Sequence, residues 1–416
     1  VGLSIPKSPQ GEPVAEALPG RTVVPRLPAA IGGLWLSGRR CADPQLYSPA
    51  LDLRSLTIEE LRERVARQGE PPFRAEQVFR WLHGPGPGGV GSVRALDAVS
   101  NFPRSLRDAL LAEAPLQPIR LDGVVAAADG TRKFRFRTYD GCAIESVLIP
   151  DDKPERAKLT LCLSCQAGCA WGCAFCATAT LGPGRHLSAG EMVEQLYWGM
   201  ELAGYKPSNV VFMGMGEPLH KLDPVVRALR IFEHPWGAGL SPRRLTVSTA
   251  GVVPGIDALA KIRPAPNLAI SLNATTDEVR NRLMPINRHW NIAALLAAAR
   301  RFPLAHHRRI TFEYVLLAGV NDSDMDAARL PRLLRGIPSK VNIIPYNAVP
   351  GLAFESPSAQ RALAFQNAVR LADIPVYIRT SRGSDAAAAC GQLAARAEER
   401  LQKCELAAVV KTGRAS

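Results

Sequence analysis

Thr57 followed by Glu60 forms a capping box, and Ile58, Leu61 and Val65 then recur at helical spacing until Gly69 ends the run. A second helix is expected from about Arg74 to His83, with Ala75, Val78, Phe79 and Leu82 on its apolar face. The following GPGPGGVG, Gly84 to Gly91, is a loop that no helix crosses. Together these predict a small helical domain over 51–115. Residues 1–50 are rich in Pro, Gly and Ala without steady periodicity, which predicts a poorly ordered extension.

From Lys133 to Thr138 the pattern changes to period two, and Asp140-Gly141 reads as a hairpin turn into a second strand, Ile144 to Ile149. This predicts a β-hairpin connector over 116–158 with one basic face, carrying Arg135 and Arg137. Short apolar strands then alternate with helices: Leu159 to Leu163, Asn209 to Met213, Leu245 to Ser248, Leu268 to Leu272, Ile310 to Leu317 and Val341 to Pro345. Six βα repeats predict an α/β fold, a partial (β/α)6 barrel with chemistry at the strand C-terminal ends. A last strand, Val376 to Thr380, leads into the Cys390 segment, so the barrel domain runs over 159–395 with a helix or tail over 396–416.

Composition adds a partner and a compartment. Lys plus Arg number 51 against 38 Asp plus Glu, a formal charge of +13 that favours a polyanion such as nucleic acid. A G+C-rich genome would also enrich arginine, so charge alone does not decide. No stretch reaches the roughly 18 to 20 apolar residues needed to span a bilayer. LPAAIGGLWL, Leu27 to Leu36, carries Pro28 and two glycines and makes a poor signal segment. Nine cysteines, six of them in the thiol chemistry below, point to a reducing compartment, the cytoplasm.

Behind the first barrel strand stands Cys162-Leu-Ser-Cys165-Gln-Ala-Gly-Cys169-Ala-Trp-Gly-Cys173-Ala-Phe-Cys176, which contains C-x3-C-x2-C. Three thiolates on one short loop, Cys169, Cys173 and Cys176, can hold three irons of a 4Fe–4S cubane and leave the fourth open to a chelating cosubstrate such as S-adenosylmethionine. A structural zinc site is the alternative, with Cys162 or Cys165 as fourth ligand. Gly214-Met215-Gly216-Glu217-Pro218 follows the second strand, in register behind the cysteine loop.

Taken together, CxSCQxGCxxxCxFCAT, VVFMGMGEP, LTVSTAGVVP, LAISLNA, LMPIN, VNIIPYN and TSRGSDAAAACGQL resemble the RlmN family of 23S rRNA and tRNA adenine C2 methyltransferases, radical-SAM enzymes. The resemblance covers roughly residues 53 to 395. It implies two molecules of S-adenosylmethionine per turnover: one methylates Cys390, and the second gives a radical that activates the S-methyl group for addition to the adenine carbon. That carbon has no lone pair, so it cannot attack a sulfonium as a thiolate can, and a radical route is required. The resemblance further implies Glu145 as the acceptor of the ring proton and Cys162 as the thiol that displaces Cys390 in a transient disulfide.

For the cosubstrate it points to Gly216, Glu217, Ser248, Ser271, Leu272, Asn273 and Asn347. Ser248 and Ser271 could equally be helix N-caps. Asn273 departs from the family's usual histidine, Cys165 from a serine and Ala387 from an aspartate, while Cys41, Cys142 and Cys404 match no motif. Arg74, Arg80 and Trp81, with the basic hairpin face, are the expected RNA contacts. A monomer served by an electron donor such as flavodoxin or ferredoxin completes the expectation. The alternatives are C8 methylation, as in the related Cfr, another radical-SAM reaction without a methyl-cysteine, or a non-catalytic zinc-bearing RNA-binding protein.

Overall fold

The computed structural model describes residues 52–86, 89–90, 103–117, 119–151 and 158–394; the expected extension over 1–50 and tail over 396–416 lie outside the described residues. Ten strands form one sheet in which chain order is also spatial order. Strands β1 (Arg120–Ala126), β2 (Arg132–Arg137), β3 (Ala143–Pro150) and β4 (Leu159–Cys162) pair antiparallel in succession. From β4 onward, β5 (Asn209–Phe212), β6 (Leu245–Thr249), β7 (Asn267–Ser271), β8 (Ile310–Leu316), β9 (Ser339–Pro345) and β10 (Val376–Ile378) are all parallel. Each parallel step moves to the next neighbour in the same direction, and crossovers of one hand then put every helix on the same face. The other face is left to line a concavity. The sheet stays open, with β10 and β1 as its edges.

The helix-covered face of the parallel strands is apolar, so Asn209–Phe212 and Leu245–Thr249 alternate in burial, while in β8 six of the seven positions are buried. Helix starts follow their caps. Ser188 and Glu191 make a capping box at α5 (Ala189–Ala203), which Gly204 ends in the left-handed conformation at φ 78°. Ser323 and Ser358 cap the helices Asp324–Leu334 and Ala359–Arg370. Among the described residues no helix is long and apolar enough to cross a membrane.

Strand β1 has no counterpart among the predicted strands; its Asp122-Gly123, a pair that local rules assign to turns, forms a bulge between Leu121 and Gly123 here. The expected hairpin is therefore part of a three-stranded antiparallel extension, and its basic face is not free. Asp122 of β1 accepts from Arg135 Nε at 2.8 Å and from Arg137 Nε at 3.1 Å, and Arg135 is buried. This corrects the expectation for Arg135, which is buried, while Arg137 stays partly exposed beside its ion pair.

The N-terminal helices α1 (Ile58–Arg67), α2 (Phe73–His83) and α3 (Arg104–Glu113) bury the apolar faces expected of the first two. Helix α2 and the 3-10 turn Leu53–Ser55 before α1 dock on α5 through buried polar contacts. Arg54 Nε lies 2.9 Å from Glu194 Oε1, His83 Nδ1 lies 2.8 Å from the Tyr197 hydroxyl, and Gly190 N donates to Ser55 Oγ at 2.8 Å. Beside them the Asp52 carboxyl is raised to about 7, by burial first and by the Glu194 charge second.

The sign of that shift fixes a pH dependence. Between pH 4 and 7 the folded chain holds a proton on Asp52 that the unfolded chain has lost, so this contribution is complete below about pH 4 and is lost as pH rises to about 7. Denaturant unfolding at pH 5 and pH 8 is expected to show a loss on the order of a few kcal/mol over that interval. Asp52→Asn should remove the share of that loss due to Asp52 and leave the share of Glu217, whose carboxyl burial also raises to about 7.

Candidate active site

The cysteine loop leaves the C-terminal end of β4 and is fixed against the loop after β5. Gly214 N donates to Leu163 O at 2.9 Å, and Cys165 N and Gln166 N both donate to Met215 O, at 2.9 and 3.1 Å. The Gln166 side chain accepts from Glu217 N at 2.7 Å. Gly216, at φ 102°, is required here, since a Cβ would stand 2.5 Å from the Gln166 Cβ. Further along, Cys169 N donates to Gly182 O and Ala174 N to Leu283 O, both at 2.9 Å.

Cys169, Cys173 and Cys176 are half-buried, carry free thiols and line one cavity of about 770 Å³ on the inner side of the sheet. Cys165 does not join them. It is buried and its thiol contacts Met215 O at 3.6 Å, so it is no fourth ligand. Among the described residues no three Cys, His, Asp or Glu side chains form a group that could hold a metal ion. A cubane asks for something different, since each thiolate meets its own iron. Three cavity-facing thiols on one loop fit that need.

Glu217 is buried with its oxygens fixed by the backbone N–H groups of Leu219, at 3.0 Å to Oε1, and Ala250, at 2.7 Å to Oε2. Burial raises its carboxyl to about 7, against the pull of those donors. Gly216, Glu217, Ser248, Ser271, Asn273 and Asn347 all line the cavity. Neither serine caps a helix: Val252 and Thr276 precede the helices Val253–Leu259 and Asp277–Leu283. Leu272 is fully buried and does not reach the cavity, but its backbone N–H donates to Glu313 O at 3.0 Å and its carbonyl accepts from Arg280 Nε at 3.0 Å. Asn273 takes a left-handed φ of 57°, which asparagine tolerates. Its side chain accepts from Val315 N at 2.8 Å, so it helps to hold the end of β8.

Cys390 and Cys162 line the same cavity. The segment carrying Cys390 is held from several sides. Ala177 N donates to Gly391 O at 2.7 Å, Thr178 Oγ1 to Leu393 O at 2.6 Å and Asn347 Nδ2 to Cys390 O at 3.1 Å. Cys390 is exposed to the cavity yet ringed by protein; poor solvation of the thiolate raises its pKa, with the Glu313 charge adding and Arg379 opposing. Burial also pushes the Cys162 thiol up, and the charge of Cys390 adds to the shift.

Glu145 is not on the cavity wall. It is buried on β3, with Lys133 Nζ 3.3 Å from Oε1 and Ala394 N donating to Oε2 at 3.0 Å. Lys133 also donates to Ala387 O at 3.4 Å, so this pair anchors the Cys390 segment. Ala387 itself has a left-handed φ of 47°, a conformation that an aspartate there would adopt more readily. The cavity also has polar residues that motif reading passed over, chiefly Glu313, Asn342, Lys340 and Arg379. The signal for the first two was a polar residue inside the apolar runs ITFEYVL and SKVNIIP.

Residues 163–330 match the radical SAM superfamily, and residues 51–115 match the ribosomal RNA large subunit methyltransferase N-terminal domain. A dual-specificity RNA methyltransferase RlmN of Anaeromyxobacter sp. (strain Fw109-5) is 48% identical over 361 residues, 85% of this chain and 93% of that protein. A probable dual-specificity RNA methyltransferase RlmN of Moorella thermoacetica is 47% identical over 82% of this chain and 97% of its own. The crystal structure of a radical SAM methyltransferase from Sphaerobacter thermophilus superposes with a TM-score of 0.75 at 44% identity, covering 83% of this chain and all of that one.

Replacing Cys169, Cys173 or Cys176 by Ala is expected to abolish bound iron and sulfide after anaerobic reconstitution, whereas Cys165→Ser should keep both. Iron and sulfide assays with the visible absorbance of the cluster read the difference.

Proposed function

The chain belongs to the RlmN family of dual-specificity RNA methyltransferases, within the radical SAM superfamily, and from that premise we propose that it methylates C2 of an adenine in 23S rRNA and tRNA with Cys390 as the methyl carrier. The observation that carries the reading is the convergence of Cys390, Cys162 and the three cluster cysteines on one cavity. When bound, the 4Fe–4S cluster, held by Cys169, Cys173 and Cys176, and two molecules of S-adenosylmethionine per turnover supply first a methyl group and then a hydrogen-abstracting radical. Gly216, Glu217, Ser248, Ser271, Asn273 and Asn347 form the cosubstrate strip, with the backbone of Leu272 holding Ser271 and Asn273 in place and Glu217 ionised to meet an ammonium group.

The Cys390 thiol gives up its proton and accepts the methyl group; after one hydrogen is removed from that group, its carbon bonds to the adenine carbon while still attached to sulfur. This leaves the protein joined to RNA through sulfur. Glu145 then takes the ring proton, after exchanging its bond to Ala394 for the substrate. The Cys162 thiolate bonds to the Cys390 sulfur, the sulfur–carbon bond breaks and the released carbon takes up a proton to complete the methyl group; the one surplus electron passes to a one-electron carrier, and an external thiol reductant reopens the Cys162–Cys390 disulfide. A one-electron donor such as flavodoxin or ferredoxin, a monomeric state and a cytoplasmic location accompany the reading. Arg74, Arg80 and Trp81 of α2 are the proposed RNA contacts outside the cavity. Arg80 is exposed and stacks on Trp236, with its guanidinium carbon 4.3 Å from the ring centre.

Cys162→Ala is expected to form the bond to RNA and fail to release it, giving a cross-link stable on denaturing gels. Cys390→Ala should keep its cluster and give neither cross-link nor product, and the double variant should behave like Cys390→Ala. Methylated RNA from Cys390→Ala, or a cross-link mapped elsewhere by peptide mass spectrometry, overturns the assignment. Glu145→Gln should slow adduct resolution by about 10²- to 10⁴-fold, a larger loss than in adduct formation, which falls only as far as the weakened Lys133 pair loosens the Cys390 segment. Nucleoside mass spectrometry of the product separates C2 from C8.

A further inference from the structure

A polar row crosses three strands on the cavity wall. Ser271 on β7 is in register with Glu313 on β8, and Glu313 with Asn342 on β9. All three line the cavity. Glu313 sits at the middle of an otherwise largely apolar strand and is only 8% exposed, a costly place for a carboxylate unless donors meet it. Asn342 Nδ2 donates to Oε1 at 2.9 Å. Among the described residues the other oxygen accepts no hydrogen bond, and no cation pairs with Glu313 within 4.0 Å. One acceptor that opens to the cavity, held in a fixed orientation by its neighbour, is left for something that enters there.

Position says what that is. Glu217 after β5, Ser248 on β6 and Ser271 on β7 form the cosubstrate strip, and Glu313 and Asn342 lie on the next two strands toward Asn347 and Cys390. Cys390 feels the charge of Glu313. The ring that receives carbon from Cys390 enters the same cavity, one wall of which this pair forms. Adenine presents an amino group on its Watson–Crick edge, whereas guanine presents a carbonyl oxygen at the same place, which a desolvated carboxylate would repel.

We infer that Glu313, oriented by Asn342, determines base specificity by accepting an N–H hydrogen bond from the exocyclic amino group of the target adenine at its free oxygen. The inference rests on the adenine methylation proposed above. Glu313 touches the base; Asn342 is a positioning residue that acts through it. A site built to receive a hydrogen bond rejects an analogue that lacks the donor, because the buried acceptor is then left unpaired.

Single-turnover methylation of an RNA stem-loop carrying either adenosine or purine ribonucleoside, which lacks the amino group, at the target position tests this. Wild type should favour adenosine on the order of 10- to 100-fold. Glu313→Ala should bring the ratio near unity, Asn342→Ala should lower it in part, and the isosteric Glu313→Gln should fall between wild type and Glu313→Ala. Comparing ratios cancels the intrinsic reactivity of the two rings and any general loss of activity, and a purely structural role would leave the ratio unchanged. Methylation of Cys390, read by peptide mass spectrometry, should persist in Glu313→Ala. An undiminished adenosine preference in that variant, or loss of Cys390 methylation, overturns the inference. Wild-type product with its methyl group off the ring carbons would overturn the underlying reading as well.

Discussion

One backbone hydrogen bond, Ala177 N to Gly391 O at 2.7 Å, joins the residue after Cys176 to the residue after Cys390. These cysteines are 214 positions apart in the chain, and no secondary-structure element contains both. The proposed chemistry needs a radical source and a methyl carrier at the same open space, and a mobile carrier would lose the advantage of fixed orientation. Thr178, Asn347 and the Lys133–Glu145 pair extend the same restraint along the segment to Leu393 and Ala394. The sheet makes this possible because its parallel strands deliver their C-terminal loops to one end, while β1 to β3 continue past the cluster strand to brace the carrier segment.

Most of the barrel was legible in the chain. The strands from β4 to β10 are short apolar runs spaced by helices, and parallel strands under a layer of helices announce themselves that way. The antiparallel extension was harder. β1 carries Asp-Gly at its centre, a pair that local rules assign to turns, and only pairing with β2 keeps it extended through a bulge. The same strand supplies Asp122, which neutralises arginines that a sequence reader must count as free. Tertiary pairing of charges leaves no trace in local pattern.

At the site, motif spacing was sufficient for the cluster cysteines, because three ligands of one cofactor lie on one loop. It could not reveal where Glu145 points, since hydrogen bonding to Ala394 is set by the far end of the chain. Nor could it show that Asn273 holds β8 or that Cys165 turns away to Met215. Glu313 and Asn342 belong to a different class of omission. They sit in strands rather than loops, and an apolar run interrupted by one acid is easily read as a core strand with a defect.

The central claim is that the methyl group reaches RNA by way of Cys390. Enzyme carrying an unlabelled S-methyl group on Cys390, mixed with RNA and trideuteromethyl S-adenosylmethionine for a single turnover, tests this most directly by mass spectrometry of the product nucleoside. The account predicts that the first product carries the unlabelled carbon and that deuterium enters only in later turnovers. A deuterated methyl group in the first-turnover product would contradict it.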